Sequence, residues 1–196
     1  MDVRAQNAKR AFDIIASSVG LAITLPLLCA LVILCRLDTK QSGLFRQRRV
    51  GRYSRQFTLY KLRTMRGTGG SHVTNSTDAR ITKFGSILRR MKLDELPQLW
   101  NVLRGDMSLV GPRPDMPGYL DRLTGDAKRL QSLRPGITGP ASLKYRDEED
   151  LLANVDDPQT YNDTVIWPDK VRLNLRYFDT WSFAGDLRIL RQTLFP

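Results

Sequence analysis

The sequence predicts a helix-rich α+β protein in which one long apolar helix precedes a small β-hairpin and a set of amphipathic helices. Three observations predict it. Residues 14–35 run for 22 positions without a charge. Residues 44–65 alternate apolar and polar side chains around a glycine turn, the period of a half-buried strand pair. Apolar residues recur at helical spacing over residues 80–93 and 170–194. With 196 residues, 41% of them hydrophobic, the chain buries one core and leaves little room for a second. The division expected is residues 1–40, the apolar helix with its flanks, and residues 41–196, a single further domain.

As a straight helix, the uncharged run is long enough to cross a bilayer. It exceeds the h-region of a signal peptide, and no small-x-small site precedes Arg36, so it is expected to stay in the mature protein. Both flanks are basic, with Arg4, Lys9 and Arg10 before the run and Arg36, Lys40, Arg46, Arg48, Arg49 and Arg52 after it. A span with a clear orientation concentrates such residues on one side. Pro26, a little past the middle, removes a backbone hydrogen bond and pushes the helix to kink. Taken alone, these residues suit either a re-entrant hairpin, with both flanks on the cytoplasmic face, or a spanning helix. Cys29 and Cys35 lie inside the run and read as small hydrophobes rather than redox groups.

The hairpin is expected as residues 44–50, a turn at Gly51, and residues 56–65, with Phe57 and Leu59 alternating against Thr58 and Tyr60. Residues 67–79 read as a loop of small polar residues. Over residues 80–93, Ile81, Phe84, Leu88 and Met91 share a helix face, while Arg80, Lys83, Arg89, Arg90 and Lys92 fill much of the rest. Such a basic amphipathic helix either lies among lipid headgroups or packs on the domain core. Prolines at 112, 114 and 117 break regular structure, and Arg134-Pro135-Gly136 marks another turn. The acids of residues 147–150 and 156–157 read as a solvated face, and residues 170–194 as a helix with an apolar stripe interrupted near Gly185.

Charge narrows the function. The chain carries 31 Lys+Arg against 20 Asp+Glu, a net of +11. Residues 36–110, with 16 basic and 5 acidic groups, account for the whole excess. Such a block expects an anionic partner: nucleic acid, a phospholipid surface or a phosphate-rich substrate. His72 is the one imidazole and sits in the small-residue loop, with no cysteine outside the apolar run. That argues against a zinc site of usual ligand count and against a histidine-activated nucleophile. Transfer chemistry is therefore expected to run on carboxylates, lysine and arginine.

Two short stretches can carry it. In Leu93-Asp94-Glu95-Leu96-Pro97-Gln98-Leu99, Asp94 suits a helix N-cap and Pro97 a first turn, which places both carboxylates at a helix N-terminus where the dipole favours their ionised forms. An ionised Asp94 can coordinate Mg²⁺ or attack phosphorus; a plain structural cap is the alternative. In Val110-Gly111-Pro112-Arg113-Pro114, two prolines restrain Arg113 on a stiff turn, its guanidinium fork presented to a phosphate or a planar base edge. A membrane segment, a basic block, a carboxylate pair and a restrained arginine together point to phosphoryl transfer at a membrane surface.

The residues resemble the bacterial sugar transferases, also called small monotopic phosphoglycosyl transferases. The resemblance rests on Lys9-Arg10-Ala11-Phe12-Asp13, Phe45-Arg46-Gln47-Arg48-Arg49-Val50-Gly51, Tyr60-Lys61-Leu62-Arg63-Thr64-Met65, the stretch from Leu93 to Leu99, Gly105-Asp106-Met107-Ser108-Leu109-Val110-Gly111-Pro112-Arg113-Pro114, and Pro135-Gly136-Ile137-Thr138-Gly139, in family order over nearly the whole chain. It implies transfer of a sugar phosphate from a UDP-sugar to undecaprenyl phosphate with release of UMP, the first membrane step of bacterial glycoconjugate synthesis. It further implies Asp94 as the nucleophile of a covalent phosphosugar intermediate and as the carboxylate that binds Mg²⁺, with Glu95 its partner. Lys61, Arg89, Arg113 and Arg146 match positions near the phosphates and nucleotide, and Asp186 matches a late motif of less defined role.

The same resemblance implies a re-entrant helix broken at Pro26, in the bacterial inner membrane, with the catalytic domain on the cytoplasmic face. Many members carry serine before that proline. Here Leu25 stands there, and Thr24, one position earlier, is expected to satisfy the freed backbone. Membrane lipid is an implied partner and nucleic acid is not: the aromatic residues are not interleaved with the charges as a stacking platform needs. A non-enzymatic adaptor held on anionic lipid is the other class considered, and a homo-oligomer is compatible with the sequence.

Overall fold

The computed structural model describes residues 3–67 and 78–195; most of the expected loop at 67–79, with His72, lies outside them. The first element is helix α1, Val3–Thr39, unbroken through Pro26. Proline at 26 leaves the Ala22 carbonyl without its usual N–H. Thr24 does not take its place, because its hydroxyl donates to Gly20 O at 2.7 Å. A helical threonine reaches the carbonyl four residues back, which from position 24 is Gly20 and not Ala22.

Strands β1 (Leu44–Val50) and β2 (Gln56–Leu62) form the hairpin, with Leu44 opposite Leu62 and Val50 opposite Gln56. The second strand stops three residues before the expected Met65, which instead bridges Ile81. One hairpin face carries Phe45, Gln47, Arg49, Phe57, Leu59 and Lys61, since alternate residues share a face. Helix α2 (Lys83–Arg90) is shorter than the expected 80–93. Thr82 caps it by accepting from Gly85 N at 2.8 Å, which fixes the start. Leu88 and Phe84 turn inward to meet Leu31 and Cys35 of α1 and Leu62 of β2.

Helix α3 (Gln98–Arg104) lies along the free edge of β2. Its fully buried Asn101 imitates a neighbouring strand, accepting from Tyr60 N at 3.1 Å and donating to Thr58 O at 2.7 Å, which satisfies an edge that would otherwise expose unpaired backbone. Beneath it Val102 and Met107 pack on Phe57 and Leu59.

Two strands of three residues, β3 (Ser108–Val110) and β4 (Gly136–Thr138), pair in parallel; β4 begins at Gly136, in the stretch expected as a turn. A Cβ at Gly136 would fall 2.1 Å from Gly111 N, and one at Gly139 2.2 Å from Gly111 O. Only glycine allows these backbones to cross so closely. The other edge of β3 is met by α1: Asp13 Oδ1 accepts from Leu109 N at 3.0 Å.

Among the described residues, two 3₁₀ helices (Leu120–Arg122 and Gly125–Ser132) lie between β3 and β4, and five further α-helices follow: α4 (Pro140–Lys144), α5 (Glu148–Ala153), α6 (Pro158–Tyr161), α7 (Trp167–Asp179, continuing a π-helical stretch Asn162–Ile166) and α8 (Phe183–Leu194). The C-terminal helix breaks at residues 180–182, not at Gly185; Gly185 N is the donor capped by Ser182 Oγ at 3.1 Å. Leu120 and Leu130 close a third core with Val50 and Trp167.

Candidate active site

Lys61 occupies a core-facing position of β2, in line with Phe57 and Leu59. A lysine there is costly unless its ammonium is paired, and Lys61 Nζ donates to Glu95 Oε1 at 3.0 Å. The same oxygen accepts from Arg113 Nη2 at 2.8 Å. Arg113 reaches it from the stiff turn after β3, with 40% of its side chain still open to solvent. Burial pushes the Lys61 ammonium below its ordinary range, with Glu95 opposing that and Arg113 adding to it. The Glu95 carboxyl is held well below the usual range although burial alone would raise it, because Arg113 and Lys61 outweigh the desolvation.

Asp94 is the contrast. It is 7% exposed, its neighbour Glu95 8%, yet no hydrogen bond or ion pair engages the Asp94 carboxyl among the described residues. Burial raises its pKa, with Glu95 adding to the rise and Lys61, Arg89 and Arg113 opposing it. The expectation that a helix dipole favours both ionised forms is corrected here. Neither carboxylate caps α3: the pair sits in its own 3₁₀ turn, Leu93–Glu95, entered through Lys92 in the left-handed region, and the cap position of α3 is Pro97. Desolvation then governs Asp94, while two direct cations govern Glu95. Adjacent carboxyls driven in opposite directions separate a fixed anion from an available one.

Arg89, at the end of α2, pairs with Glu149, its Nε 3.2 Å from Oε2. Glu148 pairs with Lys170 at 2.7 Å. The acidic stretch 147–150 is therefore not simply a solvated face; two of its members meet cations of the site. Arg146 is not brought to Asp94 or Glu95 by any hydrogen bond, and its Nη2 donates to Gln192 O at 2.9 Å and Thr193 O at 3.4 Å, at the end of α8 where helix carbonyls lack partners. Asp186 is a clamp: it accepts from Lys9 Nζ at 2.5 Å, Tyr177 Oη at 2.8 Å and Trp181 Nε1 at 3.1 Å, tying α1, α7 and α8 together. Asp186→Asn leaves the half-buried Lys9 ammonium short of a counter-charge, and a loss of about 3 kcal/mol is expected, checked by thermal unfolding in detergent.

Two groups escaped the sequence reading as site residues. Arg49 lies directly opposite Phe57 on the inner face of the hairpin, donates from Nη1 to Pro114 O at 3.3 Å, and is pushed down to about 10 by burial and then by Arg113. Asp115 follows Pro114 and is pushed up to about 6 by burial, against the pull of Lys170, Arg49 and Arg113. The hairpin alternation held the signal for Arg49, because a charged residue on a core-facing register position needs a partner or a ligand.

For a divalent metal, no group of three or more His, Cys, Asp or Glu among the described residues forms a cage. A cation such as Mg²⁺, which takes one or two carboxylates and completes its octahedron with water and substrate phosphates, fits the single uncommitted carboxylate of Asp94 better than the doubly paired Glu95.

Comparison with known proteins shows the family. The sequence profile described as bacterial sugar transferase matches residues 4–196. The sugar transferase EpsL of Bacillus subtilis, itself uncharacterized, is 37% identical over 95% of this chain and 85% of its own length. The UDP-glucose:undecaprenyl-phosphate glucose-1-phosphate transferase of Caulobacter vibrioides is 38% identical over 95% of this chain and 68% of its own. The Escherichia coli protein of that name is 35% identical over the same share of this chain, which spans 39% of it. The chain is thus an enzyme of the transferase class and belongs to the bacterial sugar transferase family.

Proposed function

We propose that the protein is a phosphoglycosyl transferase that moves a sugar phosphate from a UDP-sugar to undecaprenyl phosphate and releases UMP, in bacterial glycoconjugate synthesis. The observation that carries this reading is the split between Asp94, buried and uncommitted, and Glu95, which holds Lys61 and Arg113 in place. The names of the Caulobacter and Escherichia relatives supply the substrate class.

In the first half-reaction an Asp94 carboxylate oxygen attacks the phosphorus that bears the sugar. The diphosphate P–O bond breaks, UMP leaves with the electron pair, and an acyl phosphate ester remains on Asp94. In the second, an oxygen of the acceptor phosphate attacks that phosphorus and Asp94 leaves as a carboxylate. A carboxylate approaching a diphosphate meets like charge, so fixed cations are required. Arg113, open on one side, and Lys61 present that charge next to the nucleophile, and Arg89 extends it. Mg²⁺, when bound at Asp94 and the substrate phosphates, would neutralise the diphosphate. A panel of UDP-sugars with undecaprenyl phosphate and Mg²⁺, scored by UMP release, tests the reading; no release from any sugar overturns it.

The nucleophile must be ionised, and burial raises its pKa. The acid limb of kcat/KM is therefore expected above the ordinary aspartate value of about 3.9, with activity falling as pH drops through it. An acid limb at or below that value contradicts the burial argument. Arg113→Ala is expected to raise KM for the UDP-sugar more than for the acceptor, measured by varying each substrate separately.

The apolar helix is proposed to sit in the membrane as a re-entrant element. Its ends both return to the same body: Arg10 donates to Val102 O and Leu103 O, while Leu31 and Cys35 pack on Leu62 and Leu88. Between them Ile23, Leu25 and Leu27 are exposed. Ile87 and Met91, 55% and 61% exposed beside Arg90, suit contact with lipid, since amphipathic basic surfaces lie among headgroups. The catalytic body then lies on the cytoplasmic face, and an N-terminal tag protected from that side overturns the re-entrant path.

A further inference from the structure

A cavity of about 150 Å³ opens between the start of α1, the turn after β1 and the segment preceding β4. Its wall carries three arginines, none in an ion pair among the described residues. Each is braced by backbone or amide oxygens. Arg10 gives Nη1 and Nη2 to Val102 O and Leu103 O at 2.7 and 2.9 Å. Arg52 gives Nε to Ser132 O at 2.7 Å and Nη2 to Gln6 Oε1 at 3.2 Å. Arg134 gives Nε to Gly105 O at 3.0 Å, and its two Nη groups have no hydrogen-bond partner among the described residues. The guanidinium groups are close enough that Arg52 and Arg10, after burial, push the pKa of Arg134 down.

The other charged groups on the wall do not balance them. Lys9 is neutralised by Asp186, and the buried Asp13, whose Oδ1 accepts from Leu109 N, offsets Arg134 only in part, leaving one carboxylate against three arginines. Ser108, 1% exposed, also lines the cavity, and its Oγ is buried with no hydrogen-bond partner. Braced cations with spare N–H groups around an unpaired hydroxyl form an acceptor-seeking pocket, because unmatched like charge and an unmet polar group both cost free energy that an anion relieves.

The geometry points to a second phosphate site, separate from the cations around Asp94, in which Arg10, Arg52, Arg134 and Ser108 hold the phosphate of an anionic phospholipid headgroup. Arg10 lies four residues before the uncharged run of α1, so the pocket sits where headgroups end and acyl chains begin if α1 is embedded. The inference rests on that membrane reading. Bound there, a lipid phosphate joins α1 to the β3–β4 crossing and fixes the depth of the body.

The test is thermal unfolding of the full chain in neutral detergent, titrated with short-chain phosphatidylglycerol, short-chain phosphatidylcholine and inorganic phosphate. Saturable stabilisation by phosphatidylglycerol beyond phosphatidylcholine is expected. Arg52→Gln/Arg134→Gln should weaken it about tenfold for the lost charge-assisted bonds, and Lys128→Gln, which removes an exposed charge elsewhere, should not. Equal stabilisation by inorganic phosphate supports the site and identifies the soluble ion as its source. Equal responses to the two lipids in the wild-type chain, which need no variant to fold, overturn it, as do matching titrations for the arginine variant and Lys128→Gln. Flotation with neutral phosphatidylcholine vesicles separates the two readings: a chain that fails to float refutes the embedded helix, and one that floats without a phosphatidylglycerol preference refutes only the site.

Discussion

Asp94→Asn is expected to lower UMP release by a factor on the order of 10⁴ or more, the scale on which enzymes lose activity when a covalent nucleophile is removed. The loss should extend to the half-reaction, so a donor alone, without acceptor, yields no stoichiometric UMP and no radiolabelled sugar phosphate on the protein. The fold should not suffer. Burial already disfavours the ionised Asp94 carboxyl and no hydrogen bond among the described residues depends on it, so a neutral amide of the same shape is expected to leave the melting temperature unchanged or higher. A variant that keeps full turnover removes Asp94 from the mechanism. One that loses activity only by unfolding leaves the loss unexplained by chemistry, and the melting temperature distinguishes these results.

The second large effect concerns the neighbour. Glu95→Gln strips the anion from between Lys61 and Arg113, whose cationic groups both rest on one oxygen. Removing one member of a buried pair costs about 3–5 kcal/mol; because 40% of the Arg113 side chain is open to water, a value near 3 kcal/mol is expected. The sign with pH follows from the depressed pKa of Glu95. Its stabilisation is fully present above the unfolded value of about 4.3 and is lost as pH falls through the lower folded value. Wild type and Glu95→Gln should therefore differ at pH 7 and converge only in strong acid. Adding Lys61→Met to Glu95→Gln should restore part of the stability, and an additive result would show that the two residues are not coupled.

What could be read from the sequence, and what could not, divides along physical lines. The hairpin was legible because alternation over seven residues on each strand records which side is wet, and its register then brings Lys61 and Arg49 to the inner face. The stiff turn that carries Arg113 was legible because proline restricts the local backbone, whereas the carboxylate pair, expected at a helix N-terminus, lies in a separate 3₁₀ turn before α3. β3 and β4 were not, since three residues carry no period and a parallel pair 28 positions apart depends on glycine crossings that only three dimensions reveal. The pairing of Glu148 and Glu149 with Lys170 and Arg89 was hidden for the same reason, and so was the fate of Arg146. The rise in the Asp94 pKa was unreadable because it comes from burial, which no short motif encodes. A threonine one residue too early looked like a substitute for the missing serine, and helix geometry sends its hydroxyl elsewhere.

The clamp between Lys9 and Asp186 joins residues 177 positions apart, and Asp13 meets Leu109 across 96. A ribosome makes the chain from the N-terminus, so α1 emerges while both partners are still untranslated. Until residues 62–103 emerge, the apolar helix has none of its contacts with Leu62, Leu88, Val102 and Leu103 available. On the proposed membrane placement, biogenesis has a fixed order in which the membrane receives α1 first and the clamp at Asp186 closes last. A truncated chain ending before Asp186 should be inserted but unlatched, and therefore open to proteolysis.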